Sequence, residues 1–271
     1  MAFIRKGENN MIKNLEKEVE NITKWIVDYV KQAKAEGVVI GNSGGKDCAT
    51  VMALAAKALG SDKVLAIAMP CHSLPEDLED AKLVANQFYI PLLEIDVTKA
   101  YDAIEKETVK AMQEANLAKE IGKEASINSK PRIRMTTLYM VAQTLNYLVI
   151  GTGNLCERMV GYTTKWGDSS SDFNPIGNFT VEEVLQIGEY LGVPDKVIHK
   201  APNDGLGGLT DEQKMGITYA QITQYIDTGK TKQEAMKKIE KKYRISAHKR
   251  REIPMYPYER KNLLEKAMQE K

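Results

Sequence analysis

The sequence predicts an α/β protein: a doubly wound, mostly parallel sheet flanked by helices, in a single domain. Three observations predict it. Strand-like and helix-like segments alternate along the chain. The strand-like segments are continuous apolar runs rather than alternating ones, the pattern expected of strands buried on both faces. The first of them, residues 38–40 (VVI), breaks into a glycine turn that opens directly into a helix pattern carried by Val51, Leu54, Ala55, Ala58 and Leu59.

Residues 11–36 read as an amphipathic helix, with Ile12, Leu15, Val19, Ile22, Ile26 and Val30 on one face and Gly37 as its stop. Residues 64–70 (VLAIAMP) form a second buried strand. Residues 74–89 form a helix whose first turn suits Pro75 and Glu76. A third strand spans 91–97, and a helix spans 98–117. Residues 133–145 are helical with Leu138, Val141, Ala142 and Leu145 turned inward, and a fourth strand spans 147–152. Two stretches read as loose. Residues 119–130 are polar with Gly122 and Ser126, a mobile loop, and residues 201–212 (APNDGLGGLTDE) suit a flexible linker or a closing lid equally. The expected layout is an N-terminal helix at 11–36, a core at 38–200, the lid at 201–212, and C-terminal helices with a basic tail at 213–271.

Bulk properties narrow the function. Thirty-eight Lys and Arg nearly cancel 37 Asp and Glu, giving a net charge of +1, so nothing points to nucleic acid or a membrane surface. No run approaches the ~18 apolar residues of a membrane span. Cys48, Cys71 and Cys156 are far apart with no C-x-x-C, which suits a reducing cytoplasm and argues against a disulfide framework or structural zinc.

The turn after the first strand carries the chemistry. A strand, a small-residue loop and a helix N-terminus together aim unpaired N–H groups and the positive end of a helix dipole at an anion. Gly41, Asn42, Ser43, Gly44, Gly45, Lys46, Asp47 and Cys48 make up that loop and are the candidate phosphate-binding residues, the phosphate being ATP's by the resemblance that follows. The common phosphate loop needs Lys-Ser or Lys-Thr after its second glycine, and here Asp47 follows Lys46. S-G-G-x-D after a strand resembles instead the loop of the ATP pyrophosphatases, which cleave ATP between its α and β phosphates. Asp47 and Glu157 are hard oxygen donors at the ends of two parallel strands, suited to Mg²⁺. Thr152 offers a hydroxyl at a strand end, where the adenosine or a phosphate of ATP can be met.

The second half is more specific. It contains K-x-R-x-R-M-x-x-L-Y (130–139), G-T-x-N-x-x-E (151–157) and G-Y-x-T-K-x-G-D-x-x-x-D (161–172), followed by Pro175-Ile176. Lys200-Ala201-Pro202, T-D-E at 210–212, G-x-T-Y at 216–219, Tyr225-Ile226-Asp227 and His248-Lys249-Arg250 follow in turn. Over residues 20–252 this resembles the ammonia-dependent NAD synthetases. The resemblance implies that ATP and deamido-NAD are substrates, that an acyl adenylate forms, and that ammonia displaces AMP from it. It implies catalytic roles for Asp168, near the reacting carboxyl and ammonia, and for Lys165. It implies that Arg132 (with Arg134), Lys165, Asp172, His248 and Lys249 contact deamido-NAD. The last pair would reach across a homodimer. Three positions depart from the family's commonest pattern: Cys48 replaces Ser, Val181 stands where many members place a phosphate-binding Lys, and Asn203 stands for a Ser or Thr at ATP. Lys46 and Lys200 are alternatives for the missing cation. Two other readings are a related amidating enzyme, such as a GMP synthetase core or a tRNA-modifying ligase, and a nucleotide-binding protein without catalysis.

Overall fold

The computed structural model describes residues 12–200 and 210–257. Its elements are α1 (Leu15–Gln32), β1 (Gly37–Gly41), α2 (Lys46–Leu59), β2 (Val64–Ala68), α3 (Pro75–Gln87), β3 (Leu92–Glu94), α4 (Thr98–Glu114), α5 (Lys123–Leu145) and β4 (Tyr147–Val149). Among the described residues eight further helical pieces follow or intervene, of which α6 (Leu155–Val160), α7 (Val181–Tyr190), α8 (Asp195–Ile198), α9 (Asp211–Met215), α10 (Tyr219–Thr228) and α11 (Gln233–Ile245) matter here.

The four strands form one all-parallel sheet in the order β3-β2-β1-β4. Alternation along β1 feeds two layers. Val38 and Ile40 point into a core with α1, α2, α3 and α7, while Val39 points to the opposite layer with α5, where it meets Ile67, Val149 and Ala142. Val38, Val39 and Ile40 are all fully buried, as an apolar run in a two-faced sheet requires. A third cluster, built on Cys156, Val181, Met215, Tyr219, Ile222 and Ile239, joins α6 and α7 to the C-terminal helices.

The fold class is the one expected; several boundaries are not. Residues 123–130, expected as loop, are the first two turns of α5. Pro131 inside that helix is unfavourable, but the segment is held by tertiary bonds. The Ser126 hydroxyl meets Tyr101 Oη at 2.5 Å, and Thr164 Oγ1 donates to Asn128 Oδ1 at 2.7 Å. Leu145 is 41 % exposed rather than inward. β3 and β4 are shorter than expected, and Ile150 continues β4 only as a single bridge to Phe173. Of the expected lid, Thr210 caps α9 and Asp211 opens it, while 201–209, including Asn203, lies outside the described residues, as do 1–11 and 258–271.

Candidate active site

The strand order reverses direction between β1 and β4. At such a switch point the loops leaving the carboxyl ends of neighbouring strands part and leave a crevice. The crevice here measures about 400 Å³ and is lined by the loop after β1, the loop after β2, the face of α5, and the loop after β4. One wall is apolar (Ile67, Met69, Leu78, Ala81, Met135, Leu138) and the other charged (Lys46, Asp47, Glu157, Asp168, Lys200, Asp211).

The glycine loop is shaped by Asn42. This residue is buried, its amide donates to Ala81 O at 2.8 Å, and its Oδ1 accepts from Gly44 N at 3.0 Å. With both ends of its amide engaged, Asn42 is a strut of the loop. Gly44 adopts φ +72°, where a side chain is disfavoured, and a Cβ there would meet Asp77 O at 2.7 Å. Gly45, the N-cap of α2, supplies no side-chain acceptor, so the first N–H groups of that helix are left for a ligand. The Cys48 thiol lies 3.0 Å from Gly45 O and 3.5 Å from Ser43 Oγ, bracing the loop from inside.

Across the crevice Asn154 joins the two strand ends. It caps α6 in a capping box with Glu157: Glu157 N donates to Asn154 Oδ1 and Asn154 N donates to Glu157 Oε2, both at 3.0 Å. Its Nδ2 also donates to Asp47 Oδ1 at 3.4 Å. Burial, and then the neighbouring Asp47 carboxylate, push the Glu157 carboxyl up to about 8, against the pull of the Asn154 N–H and Lys46. Two carboxylates crowded in this way disfavour each other's charge and favour a cation between them. Lys46 Nζ lies 3.3 Å from Asp47 Oδ2 and 5.5 Å from the centre of the Tyr219 ring.

Asp168 reaches the crevice rim, its carboxylate accepting from Thr163 Oγ1 at 2.6 Å and Thr164 N at 2.8 Å. Thr152 also lines the crevice. Other expected site residues lie elsewhere. Arg132 donates to Lys165 O at 3.3 Å, and Lys165 Nζ sits over the Trp166 ring, both off the crevice wall. Arg134, two residues on, is the arginine that lines it, held by Met69 O at 2.9 Å. Asp172 serves the sheet edge: it accepts from Val149 N at 2.7 Å and Tyr139 Oη at 3.3 Å. Val181 is buried in the third cluster, where it faces Tyr219 and Ile222 and not the crevice. Lys249 Nζ donates to Gly161 O at 2.8 Å and Thr163 O at 2.5 Å in its own chain, and His248 is exposed with Nδ1 beside Ile245 O. Asp211 and Tyr219 were not among the expected site residues, and Asn154 stood in the sequence only as one position of the G-T-x-N-x-x-E run.

The family model described as NAD synthase matches residues 18–254. The NH(3)-dependent NAD(+) synthetase of Carboxydothermus hydrogenoformans is 44% identical over 245 residues, covering 89% of this chain and 98% of that one. The Finegoldia magna protein of the same name is 37% identical, covering 92% and 99%. Among solved structures, an NMN synthetase from Francisella tularensis superposes with a TM-score of 0.84 at 32% identity, covering 90% of this chain and 99% of that chain. The NH3-dependent NAD synthetase from Campylobacter jejuni superposes with a TM-score of 0.74 at 26% identity, covering 89% and 99%. With a switch-point crevice of this make-up and a family match over most of its length, the chain belongs to the NAD synthase family.

Proposed function

We propose that the protein is an ammonia-dependent NAD synthetase. The observation that carries this reading is the pairing of Asp47 and Glu157 through Asn154, opposite uncapped N–H groups, in one crevice whose rim holds Asp168. The ATP phosphates lie along the loop of residues 43–48, and the apolar wall takes the adenine ring. An oxygen of the deamido-NAD carboxylate bonds to the α phosphorus, and the bond to the α,β-bridging oxygen breaks, releasing pyrophosphate and leaving an acyl adenylate. Ammonia then attacks the acyl carbon, AMP leaves with the electron pair of its bond, and NAD results. Asp168 holds the incoming ammonium and takes its proton, with its carboxylate fixed by Thr163 and Thr164. The helix dipole of α2 and the loop N–H groups neutralise charge that grows on the phosphates.

The donor set fits Mg²⁺. Asp47 and Glu157 offer oxygen only, and among the described residues no group of three or more His, Cys, Asp or Glu forms a closed cage. A hard ion held by two carboxylates, with phosphate and water oxygens completing its shell, is the usual Mg²⁺ arrangement, and when bound it supplies positive charge to the phosphates.

The reading extends to a homodimer in the cytoplasm. Ile104 and Met140, on α4 and α5, are 55 % and 66 % exposed, and α5 buries only Ala142 among its 23 residues, so that layer is open to a second copy. No helix among the described residues is long and apolar enough to cross a membrane. The Francisella tularensis likeness favours one alternative acceptor, nicotinate mononucleotide.

The test is direct. Purified protein is incubated with ATP, Mg²⁺, ammonium and either deamido-NAD or nicotinate mononucleotide. NAD and AMP in equal amounts are expected with the dinucleotide. ADP as product would sink the pyrophosphatase assignment, and turnover confined to the mononucleotide would replace the acceptor.

A further inference from the structure

Gly161 closes α6 at φ +65°, and Ser246 packs so tightly against it that a Cβ there would strike the Ser246 side chain. Residues 246–250, which follow α11, thereby lie against the segment that leads from Glu157 to Asp168. Arg250 fastens this contact, donating to Arg158 O at 3.1 Å and Ser246 Oγ at 2.8 Å, with its guanidinium 4.0 Å from the centre of the Tyr243 ring. Lys249 makes the second fastening. The family resemblance would send it to a substrate held by a neighbouring subunit. Its ammonium instead donates to Gly161 O at 2.8 Å and Thr163 O at 2.5 Å in its own chain.

Both acceptors are main-chain carbonyls, and an ammonium that donates to two of them fixes the course of the chain between them. Thr163 is where that course matters. Its carbonyl accepts from Lys249, and its hydroxyl donates to Asp168 Oδ2 at 2.6 Å, while Thr164 N donates to Asp168 Oδ1 at 2.8 Å. One residue, Thr163, therefore stands between Lys249 and the Asp168 carboxylate. The loop is held separately by α5, where Thr164 Oγ1 donates to Asn128 Oδ1 and Arg132 donates to Lys165 O. Keeping a cation in this half-buried place is costly. Burial lowers the Lys249 pKa, the Asp168 carboxylate raises it, and Lys242 and Arg132 lower it further, so that the net direction is down.

We propose that Lys249 is a positioning residue for Asp168, acting inside its own subunit: it pins Gly161 and Thr163 so that the Thr163 hydroxyl and the Thr164 N–H aim the Asp168 carboxylate at the incoming ammonia. The use made of that carboxylate rests on the synthetase reading; the clamp itself does not. Lys249 touches neither a substrate nor a reacting atom. What it changes is how often Asp168 stands where an ammonium can be held and relieved of its proton before the amine attacks. The adenylation that precedes this step uses the loop after β1 and Glu157, and is independent of the clamp.

The experiment follows NAD formation by the full chain with ammonium as the varied substrate. In parallel, exchange of labelled pyrophosphate into ATP, with deamido-NAD but no ammonium, reads adenylation alone. Lys249→Met is expected to lower kcat/KM for ammonium by about ten-fold or more, while the KM for deamido-NAD and the exchange rate stay within about two-fold. Thr163→Val, which cuts the link and keeps the backbone, is expected to do the same, and the double variant no more than either alone. Unchanged ammonium kinetics in either variant overturns the proposal, and Thr163→Val supplies that result even where Lys249→Met fails to fold. A KM for deamido-NAD raised by about ten-fold in Lys249→Met also overturns it, because Lys249 would then hold substrate. So does activity regained when Lys249→Met and Asp168→Asn chains are co-expressed, because Lys249 would then serve a partner. Hydrogen exchange tests the clamp without any substrate. The Thr164 amide is expected to exchange about ten-fold faster in Lys249→Met with β1 unchanged, and equal rates overturn the proposal. A wild-type chain that made no NAD would fail the functional reading and leave that last arm standing.

Discussion

Glu157 makes the metal-free protein sensitive to alkali. Its carboxyl is pushed up to about 8 by burial and by Asp47, whereas an unfolded chain releases that proton near 4.3, to order of magnitude. The folded-state value is the raised one. The stability that Glu157 contributes is therefore complete below about pH 4.3 and is lost as pH rises through about 8. Between pH 6 and 8 the folded chain goes from a full proton to about half of one, and the unfolded chain carries almost none. Integrating that difference gives a loss of about 2 kcal/mol, or roughly 4–8 °C in Tm for a chain of this size. Glu157→Gln keeps the shape and removes the charge, so its Tm should lack this fall. The assay is thermal unfolding in EDTA at pH 6, 7 and 8, reported as wild type minus variant so that other titrations cancel. Added Mg²⁺ should flatten the wild-type trend. A wild-type-minus-variant difference that stays constant from pH 6 to 8 would refute the account of Glu157.

Four further outcomes follow from the same geometry. Gly44→Ala is expected to destabilise by about 2–4 kcal/mol in denaturant titration and to abolish ATP binding, because its Cβ would meet Asp77 O, Asp80 Cβ and Ala81 N within 2.9 Å at a positive φ. Asp80→Ala leaves Lys196 and Lys200 without their shared buried carboxylate and should remove about 3 kcal/mol; Asp80→Asn should behave similarly if the charge matters more than the shape. Asn154→Ala should raise the Mg²⁺ concentration needed for half-maximal activity by about 10–100-fold, since it frees both carboxylates, and a pure stability loss with an unchanged Mg²⁺ titration would count against that role. Asp168→Asn should lower kcat by about 100-fold or more with little change in the KM for ATP, and wild-type turnover would remove it from the chemistry.

Much of this architecture could be read from local pattern. The run Val38 to Ile40 is buried because helices cover both faces of the sheet and a strand pairs with β1 on either side, and the small residues after it have the conformations a close-fitting loop needs. The beginning of α5 could not be read this way. Residues 123–130 are polar because that end of the helix is stitched by hydroxyl and amide contacts to Tyr101 and Thr164, partners 25 and 36 residues distant in sequence. A pattern built on apolar periodicity has no signal for a helix held by hydrogen bonds.

The site was legible in its residue types and less so in its directions. Arg132 and Arg134 are two positions apart, hence about 200° apart around a helix, and only the register of α5 decides which of them faces the sheet. Arg134 does, because Leu138, one turn further on, packs in the layer beneath Gly41 and Met69. The same limit applies to the carboxylates. Asp172 follows the motif of the 161–172 loop, yet β4 ends after three residues, and the Asp172 side chain completes the sheet edge by accepting the Val149 N–H. Asn42 and Asn154 likewise hold backbone and side-chain groups in place. The charges in the crevice thus come from several segments, with Lys46 and Asp47 after β1, Arg134 on α5, and Glu157 and Asp168 after β4, and amides brace the loops that carry Asp47 and Glu157. Amides suit that task because they donate and accept at once without adding charge to a site that already holds Asp47, Glu157 and Lys46.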